Sequence, residues 1–137
     1  VDTCNREGLT GPVFGMYFRQ EYGSYSPDAT VLQQLSQRWE PYRITIVLGS
    51  WCGDSQEQVP RFYKILDQLL FPENQVTVVC VDRKKKTLNA DISGLDIQLV
   101  PTFIVYKDSV EAGRITETPS ETLEKDLLNI FQQIKDE

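Results

Sequence analysis

Along the chain the period of the apolar residues switches from helical to strand-like and back, and that order alone predicts an architecture. Phe14, Tyr17, Phe18 and Tyr22 recur at helical spacing inside a glycine-containing lead segment, which predicts a short aromatic helix lying on the domain. Ser26-Pro27-Asp28 reads as an N-cap with proline at the first helical position, and Val31, Leu32, Leu35 and Trp39 share one face. A helix over 27–39 is expected. Ile44-Thr45-Ile46-Val47-Leu48 is a short, nearly continuous apolar run, the pattern of a central strand covered on both faces. Val59, Phe62, Tyr63, Leu66 and Leu69 or Leu70 then return to a helical stripe, and Gln75 to Val81 reads as a second buried strand. Strand, helix, strand at these lengths is the right-handed crossover of a parallel pair, so the chain is of the α/β class.

A loop with a short helical stretch over 83–99 leads to Pro101, after which Thr102-Phe103-Ile104-Val105-Tyr106 predicts a third strand. The polar Lys107-Asp108-Ser109 turns the chain into a fourth strand near Val110 to Thr116. Thr118-Pro119-Ser120-Glu121 has the capping-box pattern, and Leu123, Leu127, Ile130 or Phe131, and Ile134 supply the stripe of a closing helix. There is no internal repeat, low-complexity segment or linker. With 137 residues and 40% apolar positions, a single domain over 1–137 with an ordinary core is expected.

Charge and composition narrow the function. Fourteen Lys and Arg against twenty Asp and Glu give a net charge of −6, which repels phosphate backbones and anionic membrane surfaces, so nucleic acid is not an expected partner. The basic cluster Arg83-Lys84-Lys85-Lys86 has no interleaved aromatic residue and reads as a solvated loop. No stretch approaches the roughly 20 apolar residues of a membrane span. The sequence has no histidine, which removes Ser-His and Cys-His nucleophilic pairs and the commonest zinc ligand. No metal and no cofactor are therefore expected, and chemistry falls to thiol, carboxylate or backbone groups. Cysteines at 4, 52 and 80 are too few and irregular for a disulfide framework, and their odd number leaves at least one thiol without an internal partner. Cys80, inside an apolar strand, reads as a small buried hydrophobe, and Cys4 as incidental.

Cys52 is different. Trp51-Cys52-Gly53-Asp54-Ser55 stands where the central strand hands over to a helix. A cysteine at the first turn of a helix faces unpaired backbone N–H groups and the positive end of the helix dipole, which favour a thiolate nucleophile. Asp54 can tune that thiol or simply act as a dipole partner. Trp51 can wall a binding surface or pack in the core.

Trp51-Cys52-Gly53 followed two residues later by Ser55 resembles the Trp-Cys-Gly-x-Cys active site of thioredoxins, with serine replacing the second cysteine. Pro60, eight residues after Cys52, stands where thioredoxins carry the proline that kinks their active-site helix, and Val100-Pro101-Thr102 resembles their cis-proline segment. The resemblance covers 43–137 and leaves 1–40 as an N-terminal helical elaboration. It implies a thioredoxin fold: a central mixed four-stranded sheet flanked by helices, with an extra N-terminal helical segment. It also implies Cys52 as nucleophile and substrate binding by Trp51, Gly53, Asp54, Val100 and Pro101, while Ser55 reads either as hydrogen-bond partner of the thiolate or as an inert small residue. Thioredoxins place an aspartate six residues before the first cysteine, paired with a lysine on the next strand. Those positions hold Ile46 and Val78 here.

A serine cannot expel a mixed disulfide as a second cysteine does. The resemblance therefore implies a monothiol exchange protein, of isomerase or capture type, whose partners are protein or small-molecule disulfides and an external reductant thiol. The alternative is a redox-silent domain that holds an extended peptide in the cis-proline groove. Cluster ligation as in monothiol glutaredoxins is disfavoured, because those resemble Cys-Gly-Phe-Ser and Asp54 occupies the phenylalanine position. Ser55 could also be an introduced replacement for a natural cysteine. A monomer is expected. A chain opening on Val1 rather than methionine, together with a resemblance to secreted bacterial thioredoxin-like proteins, tilts the expected location to the periplasm or another extracytoplasmic compartment.

Overall fold

In the computed structural model, which describes residues 14–37, 41–49, 52–81, 97 and 99–135, the apolar runs assemble in the expected order. Helices α1 (Gly15–Ser24) and α2 (Ala29–Leu35) precede β1 (Tyr42–Leu48), α3 (Gly53–Gln68), a 3₁₀ turn (Glu73–Gln75) and β2 (Val76–Cys80). The hairpin β3 (Thr102–Lys107) and β4 (Val110–Thr116) and helix α4 (Leu123–Lys135) follow. The four strands form one sheet in the order β2-β1-β3-β4. β1 runs parallel to β2, whereas the β1–β3 and β3–β4 pairs are antiparallel. The sheet is mixed and flanked by helices, as the alternation of elements requires.

Strand alternation divides the core in two. Ile44, Ile46 and Leu48 of β1 join Phe103, Val105 and Ile115 against Phe62, Tyr63 and Leu66 of α3 and Leu127 and Phe131 of α4. Val47, Val79, Val81 and Val100 form a smaller cluster on the opposite face. Phe62 stacks on Phe103 with centroids 4.3 Å apart, and Tyr42 on Phe131 at 3.9 Å. Complete burial of each such side chain contributes about 1.5–3 kcal/mol. Cover on the second face is incomplete near the start of β1, where Arg43 is exposed and Thr45 half-buried. The expectation of a strand covered on both faces thus holds only from Ile46 onward, because Arg43 and Thr45 alternate with the inward Tyr42 and Ile44.

Helix ends depart from the sequence reading. Asp28, not Ser26, caps α2, its Oδ1 accepting from Thr30 N at 2.9 Å and Val31 N at 3.1 Å. Pro27 therefore precedes the helix, which stops at Leu35 rather than Trp39. The expected box at Thr118 is displaced too, since Thr122 Oγ1 accepts from Lys125 N at 3.1 Å. Asp126 reaches back to accept from Ser120 N at 2.7 Å and Glu121 N at 3.3 Å. Thr122 immediately precedes the apolar stripe, so its hydroxyl serves the donors that the stripe's packing places there.

α3 closes in a Schellman arrangement, with Phe71 N bonded to Leu66 O at 2.9 Å and Leu70 N to Asp67 O at 3.1 Å. Leu69 continues the buried stripe, whereas Leu70 sits at φ 59° and is 82% exposed.

The N-terminal helices are fastened by polar contacts as well as packing. Phe18 of α1 meets Tyr63 of α3 at 5.9 Å between centroids. Tyr22 donates its hydroxyl to Asp67, Lys64 Nζ donates to Tyr22 O at 2.8 Å, and Arg61 Nε donates to Glu21 at 3.0 Å. The carboxylate of Glu124, only 2% exposed, accepts from Tyr25 Oη at 2.5 Å and from Asp28 N at 2.8 Å. Burial first, and this hydrogen bond second, hold the Tyr25 phenol well above its usual titration range. Among the described residues, no helix is long and apolar enough to cross a membrane. Expectations for Cys4, Trp39, the Arg83–Lys86 cluster and the stretch 83–96 lie outside the described residues.

Candidate functional site

Where β1 ends, the chain returns to the start of α3 so closely that Cys52 N donates to Gly49 O at 3.0 Å. Cys52 is the N-cap residue of α3, with extended backbone (φ −91°, ψ 125°) and a side chain that makes no capping bond. Its sulfur is thus not used to cap the helix. Cys52 is a free, partly exposed thiol, and its Sγ donates to the carbonyl of Val100 at 3.4 Å. It packs against the Val47, Val79, Val81 and Val100 cluster together with Ile97.

The second wall comes from the segment before β3. The Val100–Pro101 peptide bond is cis. Pro101 O accepts from Glu117 N at 2.7 Å, and Thr102 Oγ1 donates to Leu99 O at 2.6 Å. These bonds hold both flanks of the proline against β4 and β3. Leu99 remains 44% exposed beside the site.

Other expected site residues fall out as follows. Gly53 is exposed, and a Cβ built there would meet nothing within 4 Å, so one side of the cysteine is open. Asp54 lies half-buried in the first turn of α3, where a carboxylate meets the positive end of the helix dipole. Trp51 lies outside the described residues. Ser55 is fully buried, and its Oγ accepts from Gly49 N at 3.2 Å. Gly49 is the participant that sequence reasoning missed; its polar groups matter only once β1 and α3 are placed together.

Ile46 and Val78 are register partners across β1 and β2, with Phe103 opposite Ile46 on the other side. Ile46 is completely buried. The positions where thioredoxins hold an aspartate and a lysine are therefore neighbours here, filled by an apolar pair. Cys80 requires a correction. It is buried on β2 but is disulfide-bonded, its partner lying outside the described residues. It is not the lone hydrophobic thiol expected, because β2 is the outermost described strand and can be reached by a further segment. Among the described residues, no group of three or more Cys, Asp or Glu side chains is placed to hold a metal ion.

No protein-family model matches the sequence, and no curated protein matches it. Solved structures do. A protein of unknown function from Pseudomonas aeruginosa is 15% identical, covering 88% of this chain and 81% of its own, with a TM-score of 0.58. An HIV epitope-scaffold is 16% identical over 89% of this chain and 82% of its own, also at 0.58. Thioredoxin O2 from Arabidopsis thaliana is 19% identical over 77% of this chain and 84% of its own, at 0.45. The chain has a thioredoxin-like fold. Its parallel β1–α3–β2 unit and antiparallel β3–β4 hairpin, in the strand order β2-β1-β3-β4, carry that topology.

Proposed function

We propose that the protein carries out thiol–disulfide exchange through Cys52 alone. The carrying observation is a free, partly exposed thiol at the N-cap of α3, 3.4 Å from the carbonyl that precedes a cis-proline. The deprotonated sulfur of Cys52 attacks one sulfur of a substrate disulfide R–S–S–R′. The Cys52–S–S–R bond forms as the R–S–S–R′ bond breaks, and R′–S⁻ leaves and takes a proton from water. No second thiol stands at position 55, and Cys80 is committed to a disulfide. An external monothiol R″–SH, as its thiolate, therefore attacks the substrate sulfur of the mixed disulfide, yielding R–S–S–R″ and free Cys52.

Oxidation state is conserved at each step, so the protein exchanges disulfides rather than supplying electrons. Val100, whose carbonyl faces Cys52, offers main chain to an extended substrate beside Pro101, with Gly53 and Asp54 on the open side; Trp51 stays a binding candidate from its residue type alone. The apolar pair Ile46 and Val78 supports this reading, since no buried acid is needed when no second cysteine must lose a proton.

The test is incubation with a disulfide-bearing peptide at neutral pH, followed by mass spectrometry. The expected result is a long-lived adduct on Cys52, absent in Cys52→Ser and released by added glutathione. If no adduct forms with any disulfide, the redox-silent reading replaces this one, and the cis-proline groove serves only to hold a peptide.

A further inference from the structure

We infer that Ser55 is a positioning residue, which acts on Cys52 through the backbone of Gly49 and not on the sulfur itself. This rests on the exchange reading of Cys52 and concerns how that site is kept in order. Ser55 has no exposed surface, so its hydroxyl cannot meet a substrate arriving from solvent. Its oxygen accepts from Gly49 N at 3.2 Å, whereas the sulfur of Cys52 donates to Val100 O and not to Ser55. Gly49 is itself buried, and its carbonyl accepts from Cys52 N at 3.0 Å. Both polar groups of the residue that follows β1 are therefore gripped by residues at the start of α3.

The grip has a direct geometric consequence for the sulfur. Cys52 lies between its bond to Gly49 on one side and its contact with Val100 O at 3.4 Å on the other. If Gly49 is released, the N-cap is fixed only from the helix side, and the sulfur loses its set distance from the main chain that a peptide substrate would meet. Chemistry at position 55 then decides the outcome. Alanine leaves a buried N–H without an acceptor, which costs the full desolvation of that group. Cysteine offers only sulfur, a weak acceptor. Serine at this position does a job in this chain that the second cysteine of a dithiol site would do poorly.

The experiment compares the unsubstituted protein with Ser55→Ala and Ser55→Thr, each first shown by circular dichroism to be folded. Three quantities are read: amide hydrogen exchange at Gly49, the bimolecular rate of Cys52 with a disulfide-bearing peptide, and its rate with iodoacetamide across a pH series. In Ser55→Ala, Gly49 is expected to lose exchange protection and the peptide rate to fall about tenfold, the scale of a small misplacement of a reacting group. The iodoacetamide rate and the midpoint of its pH profile are expected to stay in place, because a small alkylating agent does not use the Val100 main chain. Ser55→Thr, which keeps the hydroxyl, is expected to restore Gly49 protection and the peptide rate.

An unchanged peptide rate in Ser55→Ala overturns the inference. So does a moved pH midpoint with Gly49 still protected, which would put the hydroxyl on the sulfur. An unsubstituted protein whose Cys52 reacts with iodoacetamide but with no disulfide defeats the exchange reading instead, and is recognised before any variant is compared.

Discussion

Removing the carboxylate of Glu124 should loosen the junction of the two N-terminal helices from α4 and lower stability. Glu124→Ala deletes two charge-assisted hydrogen bonds, from Tyr25 Oη at 2.5 Å and Asp28 N at 2.8 Å. Bonds to a charged group contribute about 1.5–3 kcal/mol each. The lower end applies, because Asp28 is exposed and Tyr25 half-buried, so both donors can turn to water. Against that gross loss of about 3 kcal/mol stands some relief, since a carboxylate 2% exposed with no paired cation among the described residues carries a desolvation cost. The net expectation is about 2 kcal/mol, a large share of the 5–15 kcal/mol typical of a domain.

With a urea slope near 2 kcal/mol/M, the denaturation midpoint should fall by about 1 M. Glu124→Gln, which keeps one acceptor oxygen, should lose roughly half as much. Urea titration followed by circular dichroism measures both, and a double-mutant cycle with Tyr25→Phe should show coupling of about 1 kcal/mol. An unchanged midpoint in Glu124→Ala, or strict additivity with Tyr25→Phe, would refute the clasp.

Tyr25 itself makes stability pH-dependent on the alkaline side. Its folded phenol titrates above the unfolded value of about 10, so its contribution is complete below that pH and is lost as pH rises beyond it. Urea midpoints taken above about pH 10 should fall in the parent protein and fall less in Tyr25→Phe. Leu70→Gly should stabilise by about 0.5–1 kcal/mol, because glycine relieves the strained φ of 59° and no packing is lost from a side chain 82% exposed. The same urea titration would show it as a raised midpoint. Gly113→Ala should cost about 1 kcal/mol, since a Cβ there would stand 3.0 Å from Ile130 Cγ1. A melting temperature lowered by a few degrees is the expected reading.

The local pattern carried much of the architecture. Four strands, the helix after Cys52 and the parallel crossover were legible because sheet and helix impose different patterns on apolar residues. The place of Cys52 at a strand-to-helix boundary was legible for the same reason, and Val100-Pro101 from its resemblance to a known segment. Choices between near-equivalent neighbours were not. Ser26 and Asp28 compete to cap one helix, and Thr118 and Thr122 another, with the winner set by where packing starts the first turn. Leu69 and Leu70 compete for one place on the stripe, yet the helix ends at Gln68, and only Leu69, its C-cap, keeps helical backbone and stays buried.

Contacts made across the fold were beyond local reading altogether. Nothing near Glu124 in the chain marks it as the acceptor for Tyr25 and Asp28, nearly one hundred residues away. The contact between Ser55 and Gly49 escaped local reading for the same reason. The residue type of Ser55 suggested a partner for the sulfur, but the fold brings Gly49 N within 3.2 Å of its hydroxyl. A buried donor must be paired, and only the packing of β1 against α3 determines which donor is buried there.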